Sequence, residues 1–210
     1  MKTNIAIFCL VIVFISCKDN VSEPNSVQKS YLIPFSPSNR WIYNVTIYDS
    51  VGTIKRTSTD TTIFYDTVIS NVHWFHTYRN DWTYSNSDIG VVSRLIGDDH
   101  IVLTYKYPAL KGEHYGSPSI EHANVGNEWL ADTVYNTEII TTDTIITVPS
   151  GNYHCLGYKT LNNDATIISY TLEFISPGYG WIKSETYFSY NQGKNVYLFG
   201  KIEGKSIIIN

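Results

Sequence analysis

Strict two-residue alternation constrains this chain more than any other feature. Ile168, Tyr170, Leu172 and Phe174 stand opposite Ser169, Thr171 and Glu173, and Trp41, Tyr43, Val45 and Ile47 stand opposite Ile42, Asn44, Thr46 and Tyr48. Successive side chains leave a pleated backbone on opposite sides, so a period of two marks a strand with two unlike faces. The same pattern predicts strands over 53–70, 72–79, 90–95 and 101–107, then over 132–148, 153–160, 166–175, 180–190, 196–201 and 206–209. Turn-forming residues separate these runs at Asp49-Ser50-Val51-Gly52, Asn71, Gly97-Asp98-Asp99, Ser150-Gly151-Asn152, Pro177-Gly178 and Asn191-Gln192-Gly193. Composition agrees: 17 Tyr, 8 Phe and 5 Trp accompany frequent Thr, Ile and Val, whereas the single Met is the initiator. β-branched and aromatic residues suit a pleated, half-buried surface. The chain is therefore expected to be all-β, an antiparallel sandwich or a strongly curved sheet or half-barrel, with no helix.

Residues 108–127, rich in Gly, Pro and Ser, interrupt the strand pattern and divide it into halves, 31–107 and 125–210. The halves carry similar blocks in the same order. Asn39-Arg40-Trp41 parallels Asn127-Glu128-Trp129, and the Thr/Asp run 59–68 parallels 141–148. Asn71-Val72-His73 parallels Asn152-Tyr153-His154, and Gly90-Val91-Val92 parallels Gly180-Trp181-Ile182. Two similar multi-stranded units sharing one core are one reading; chance recurrence in a chain of few residue types is the other.

The first residues differ in kind from the rest. Lys2 precedes an uncharged run from Ile5 to Ile15, and then Ser16-Cys17-Lys18-Asp19-Asn20 follows. A basic start, a short apolar middle and a small residue before a cleavage point describe an export signal, and eleven or so apolar residues are far too few to span a bilayer, which takes about 20. Cysteine directly after the cut resembles the lipobox of bacterial lipoproteins, with Phe14 where leucine is usual. That resemblance implies cleavage after Ser16, lipidation of Cys17 and an outer-membrane anchor, on a periplasmic or cell-surface face. Lys18-Asp19-Asn20 partly resembles the lysine-plus-acidic surface-export signal of Bacteroidota lipoproteins. Residues 17–30 are polar and aperiodic, as expected of a tether, leaving 31–210 as a single domain.

Charge and cysteine content narrow the function classes. The formal charge is -4, and loss of 1–16 takes Lys2 with it to give -5. A mildly acidic chain without a basic cluster lacks the electrostatic footprint of a nucleic-acid binder. With Cys9 removed and Cys17 lipidated, Cys155 stands alone, no intrachain disulfide is available, and stability rests on the core. Adjacent to His154, Cys155 suggests a Cys/His nucleophile, but neighbouring strand residues point to opposite faces, so a packing role is expected. His73 and His76, three apart, likewise cannot chelate one metal. Glu113-His114 and Glu121-His122 offer ligand types that suit zinc without a recognisable spacing. No nucleophile elbow, P-loop or dinucleotide fingerprint occurs, so neither catalysis nor a cofactor is expected.

Several segments resemble motifs of uncharacterised β-rich lipoproteins of the Bacteroidota. They are Tyr31-Leu32-Ile33-Pro34-Phe35 running to Trp41-Ile42-Tyr43, Val125-Gly126-Asn127-Glu128-Trp129, Val148-Pro149-Ser150-Gly151-Asn152-Tyr153-His154-Cys155, and Ser176-Pro177-Gly178-Tyr179-Gly180-Trp181-Ile182-Lys183. These are turn and core motifs, and the resemblance implies no activity. Asp-Ser/Thr-apolar triplets resembling Bacteroidota O-glycosylation acceptors place candidate sites at Ser50, Thr61, Thr67, Thr133 and Thr144. Trp74, Tyr78, Trp82 and Tyr84, with Phe75, crowd into one short region and are candidate ligand-binding aromatics, since flat, partly polar rings suit sugars. The expected function is non-catalytic binding or a structural role in the cell envelope, glycan binding being one form. A carrier of a lipid or other hydrophobic molecule in a half-barrel cavity is the alternative.

Overall fold

The computed structural model describes residues 31–78, 81–97, 99, 101–116, 135–163, 168–190 and 195–210. Among the described residues twelve strands form one antiparallel sheet: β1 (Arg40–Tyr48), β2 (Ile54–Ile69), β3 (Val72–Thr77), β4 (Trp82–Ser87), β5 (Gly90–Leu95), β6 (Val102–Lys106), β7 (His114–Gly116), β8 (Tyr135–Val148), β9 (Gly151–Asn163), β10 (Ile168–Ser176), β11 (Gly180–Tyr190) and β12 (Asn195–Ile208). Their order is β6-β5-β4-β3-β2-β1-β12-β11-β10-β9-β8-β7. Each half of the chain is thus a six-strand meander, and the halves join where β1 pairs with β12. Among the described residues there is no helix. The all-β, strongly curved architecture is the one the alternation predicts.

Three strands depart from the sequence pattern, the shortest being β7, which lies inside 108–127, where the pattern is interrupted, and pairs with β8. β4 is rich in Ser and Asn, yet Trp82 and Tyr84 alternate with Thr83 and Ser85 and pair with β5 throughout. β12 runs unbroken through Gly204, where the register with β1 shifts between Ile42 and Tyr43. A glycine reads as a break in a strand pattern, but here it marks an irregularity where another backbone comes close. The Ser150 N–H donates to the Gly204 carbonyl at 3.0 Å, so the β8–β9 hairpin reaches across to β12.

The edges of the sheet, β6 and β7, meet through side chains. The Tyr115 hydroxyl donates to the Thr104 carbonyl at 3.0 Å, the Tyr158 hydroxyl to the Lys106 carbonyl at 2.9 Å, and the Lys106 ammonium pairs with Glu113 at 2.9 Å. These contacts nearly close the sheet into a barrel. The closure is one-sided: β3 flanks β2 only from Phe64 to Ile69, and the 54–63 part of β2 pairs with β1 alone among the described residues. One end is therefore a barrel, and the other opens as a trough.

Segment 31–39 fills the closed end. Leu32 and Ile33 are buried, Asn86 donates its amide to the Ile33 carbonyl at 2.9 Å, and the Gly178 N–H donates to the Tyr31 carbonyl at 2.8 Å. Phe35 enters a ring cluster with centroids 4.9 Å from Phe64, 5.5 Å from Phe75, 6.1 Å from Tyr84 and 6.2 Å from Trp181. Trp41 packs edge-on against Phe64 and Trp181 and donates its indole N–H to the Tyr179 carbonyl at 2.6 Å. Gly180 starts β11 at a φ of +83° with Trp41 Nε1 only 3.1 Å from where a Cβ would sit, and Gly90 starts β5 at +130° with the Tyr105 carbonyl oxygen 2.0 Å away. Neither position accommodates a side chain.

A second cluster of Val148, Cys155 and Ile182, with Phe174 and Ile207 against it, lies where the hairpin meets β11 and β12. Cys155 is buried there, and burial pushes its thiol up to about 12, which fits packing rather than nucleophilic chemistry.

Candidate binding face

In β10 both faces are half-buried, and it is the polar one that turns inward. A strand with an apolar and a polar face normally buries the apolar one, but Thr171 and Glu173 face the barrel interior, while Tyr170, Leu172 and Phe174 face the opposite side. The contacts of Glu173 fix this assignment: its carboxylate accepts from the Tyr105 hydroxyl at 2.9 Å, and it lies opposite Tyr158 in register. The outer aromatics are covered in other ways. Tyr170 stacks on Tyr187 at 4.7 Å with the Lys159 ammonium 5.0 Å over its ring, and Lys183 lies 6.0 Å over Phe174. Long lysine stems shield such rings while keeping their charge near water.

Register then generates the interior row by row, because residues directly opposite across antiparallel strands share a face. One row runs Ile139, Tyr158, Glu173, Ser184, Ile202, Val45 and Ser58 across β8 to β2. The next row toward the open end runs Thr137, Thr160, Thr171, Thr186, Gly200, Ile47 and Arg56. Four neighbouring strands thus present threonine at one level, and the first two hydroxyls are bonded at 3.1 Å. Beyond them Phe188 pairs with Tyr197, and Phe188 meets Phe199 edge-on at 4.6 Å. The inner face of the open half therefore combines hydroxyls, one glycine step and an aromatic rim. The closed half is filled by packed rings together with Leu32, Ile33, Val91 and Ile175.

Glu173 sits at the boundary between the two. Burial raises its carboxyl above the usual range, partly offset by the Tyr105 hydrogen bond. Burial also raises Tyr105, and the nearby Glu173 charge adds to that shift. The Tyr105 hydroxyl accepts from Trp181 Nε1 at 3.1 Å, so Trp181, Tyr105 and Glu173 form one chain from β11 through β6 to β10. On the inner face of the 54–63 stretch, Asp60 stands opposite Tyr43, whose hydroxyl is raised by burial and then by the Asp60 charge. This face thus carries the Asp60 and Glu173 carboxyl groups, with the Arg56 guanidinium at its β2 margin.

The crowded aromatics do not form one exposed strip, and this corrects the expectation. Alternation divides them: Phe75 and Tyr84 point into the core against Phe35, while Trp74 lies on the other face, 2 % exposed, with the Arg94 guanidinium 5.5 Å over its ring. Trp82 is partly buried, and only Tyr78, at 88 %, stands free of the fold.

The other candidates scatter. Ser50 and Thr61 are exposed, Thr67 and Thr144 are half-buried, and Thr133 lies outside the described residues, as does Cys17. His114 is exposed, and Glu113 is engaged by Lys106 and by the Leu110 N–H; Glu121 and His122 lie outside the described residues. No group of three or more metal-ligating side chains occurs among the described residues. His73 bonds Asp66 at 3.1 Å and His154 bonds Asp143 at 2.8 Å, each histidine opposite the residue two after its aspartate. A shallow cleft of about 500 Å³ on β1 and β2 is lined by Asn44, Thr46, Thr57, Thr59 and Glu203 of the outer face together with Val45 and Ser58.

No protein-family model matches the chain, and no curated protein matches it in sequence. Among solved structures, similarity extends to a protein from Bacteroides fragilis NCTC 9343 described as exported with a YmcC-like fold. Identity is 12 % over 86 % of this chain and 100 % of that one, with a TM-score of 0.43. It also extends to a protein described as a lipoprotein from Parabacteroides distasonis ATCC 8503, at 16 % identity over 85 % of this chain and 99 % of that one, with a TM-score of 0.43. Likeness at this level carries nothing about function.

Proposed function

We propose that this chain is a cell-envelope lipoprotein, anchored through Cys17, that binds a neutral glycan without catalysis on the inner face of its open half-barrel. The observation that carries the reading is the level row Thr137, Thr160, Thr171 and Thr186 with Gly200 beside it. The half-buried Thr160, Thr171 and Thr186 hydroxyls exchange hydrogen bonds with a hydroxyl-rich ligand, Thr137, 1 % exposed, holds the Thr160 hydroxyl in place, and Phe188 with Tyr197 offers ring faces for the ligand's apolar patches. A carrier of hydrophobic molecules is the second reading, favoured by Val45, Ile47 and the exposed Ile202 on the same face. The aromatic plug around Phe35 weighs against it, because it fills the part of the barrel where an apolar cavity would lie.

The test is an array of defined neutral and acidic oligosaccharides probed with residues 17–210, beside a fluorescent fatty-acid displacement assay. Binding of neutral glycans that is lost in Thr171→Val/Thr186→Val supports the proposal. Fatty-acid binding without glycan binding favours the carrier. For the anchor, Cys17→Ala is expected to move the protein from the membrane to the soluble fraction without changing its melting temperature; retention in the membrane would overturn that part.

A further inference from the structure

We infer that the plugged end of the barrel rests on the surface of the membrane that holds the anchor, so that the open trough faces away from the lipid. This rests on the lipidation of Cys17 proposed above, and it adds an orientation and a contact surface to that reading.

In an antiparallel meander, alternate turns fall at opposite ends. The chain enters at Tyr31 at the end that also carries the β2–β3, β4–β5, β6–β7, β8–β9 and β10–β11 turns and the last residues after β12. Tyr31 is held there by the hydrogen bond from Gly178. The fourteen residues from Cys17 to Ser30 can reach at most about 50 Å. The strands rise ~3.3 Å per residue, so the nine residues of β1 alone extend about 30 Å and the fourteen of β12 about 46 Å along their own directions. Turning the domain over would take up most of the reach of that segment. The entry end is therefore the end that meets the bilayer.

That end is furnished for the contact. Its tips carry Tyr31 (50 % exposed), Ile89 (58 %) and Leu110 (71 %), with Tyr179 and Ile209 beside them, and Lys111 follows Leu110. Aromatic and aliphatic side chains on several turns insert into the headgroup boundary, and a basic neighbour favours anionic lipid. The far end also exposes apolar residues, Val51 and Ile96 among them, but the tether keeps them distant from the lipid.

The experiment uses the lipidated full-length protein in phosphatidylethanolamine/phosphatidylglycerol vesicles, with lipidation checked by intact mass. A polarity-sensitive fluorophore is placed by Ile89→Cys or Leu110→Cys at the near end and by Val51→Cys or Ile96→Cys at the far end, in a Cys155→Ala background. Quenchers on the lipid chains should act at least about twofold more strongly on the near-end probes, because interfacial side chains sit about 5–10 Å into the headgroup boundary. Equal quenching at both ends, or stronger quenching at the far end, overturns the orientation. So does a near-end signal that persists in detergent and grows with protein concentration, which would assign the surface to a second copy. An unlipidated mass refutes the anchor itself and is read separately from either result.

Discussion

Phe35→Ala tests whether segment 31–39 is an integral part of the core. Phe35 meets four rings with centroids from 4.9 to 6.2 Å away, on β2, β3, β4 and β11, so it ties together both meanders. Truncating a buried Phe costs about 3–5 kcal/mol, and each aromatic pair contributes about 0.5–1.5 kcal/mol beyond area. Phe35 is partly exposed, so the lower value of about 3 kcal/mol is the better expectation. For a domain of this size, about 2–4 °C accompanies each kcal/mol, which gives a fall of roughly 6–12 °C in Tm. Thermal unfolding of residues 17–210 by circular dichroism measures it, and Phe35→Leu, which retains apolar volume, should lose no more than about 1.5 kcal/mol. The Ala variant should also gain binding of a hydrophobic dye, because the ring leaves an apolar void. A loss below about 1 kcal/mol, or equal losses for the Ala and Leu variants, would refute the plug.

Three further outcomes follow from the interior. Glu173 keeps its proton to higher pH in the folded chain than in the unfolded one. Its contribution to stability is therefore complete below the ordinary Glu value near 4.3 and is lost as pH rises through the folded value. Glu173→Gln should accordingly gain in Tm relative to wild type between about pH 4 and about pH 8, and a difference that does not change with pH would refute the assignment. Tyr105→Phe leaves Trp181 Nε1 and the Glu173 carboxylate without a partner and should cost about 1–3 kcal/mol in chemical denaturation. Gly90→Ala would drive a Cβ into the Tyr105 carbonyl and should cost about 2–4 kcal/mol, or prevent soluble expression altogether.

The alternation made most of the fold legible. Long, strongly alternating strands such as β2, β8 and β11 could be read directly, as could the turns between them. β4 was hidden because Ser and Asn signal turns locally, and only its ladder with β5 makes it a strand. β12 looked broken at Gly204 because sequence does not reveal that Ser150 approaches there. Gly90 and Gly180, matched in the repeat, both start strands at positive φ, a backbone demand that the paired blocks hinted at.

The candidate site was far less legible. Hydropathy alternation gives 168–174 two unlike faces without saying which one turns inward. Which face of a curved sheet turns inward depends on long-range pairing, and only the contact of Glu173 with Tyr105, on the opposite meander, settles it. Crowding in sequence misled for the same reason: Trp74 and Phe75 are adjacent and therefore point apart. The threonine row could not be seen at all without register, since its members lie on four different strands.

The central claim, that ligand binds on the inner hydroxyl face, is tested most directly by threonine-methyl NMR. Residues 17–210 labelled at threonine would be titrated with the neutral oligosaccharide that the array selects. Shift changes confined to Thr137, Thr160, Thr171 and Thr186 are the predicted result. Changes centred instead on Thr46, Thr57 and Thr59 of the outer cleft, or none in either group at saturating ligand, would contradict it.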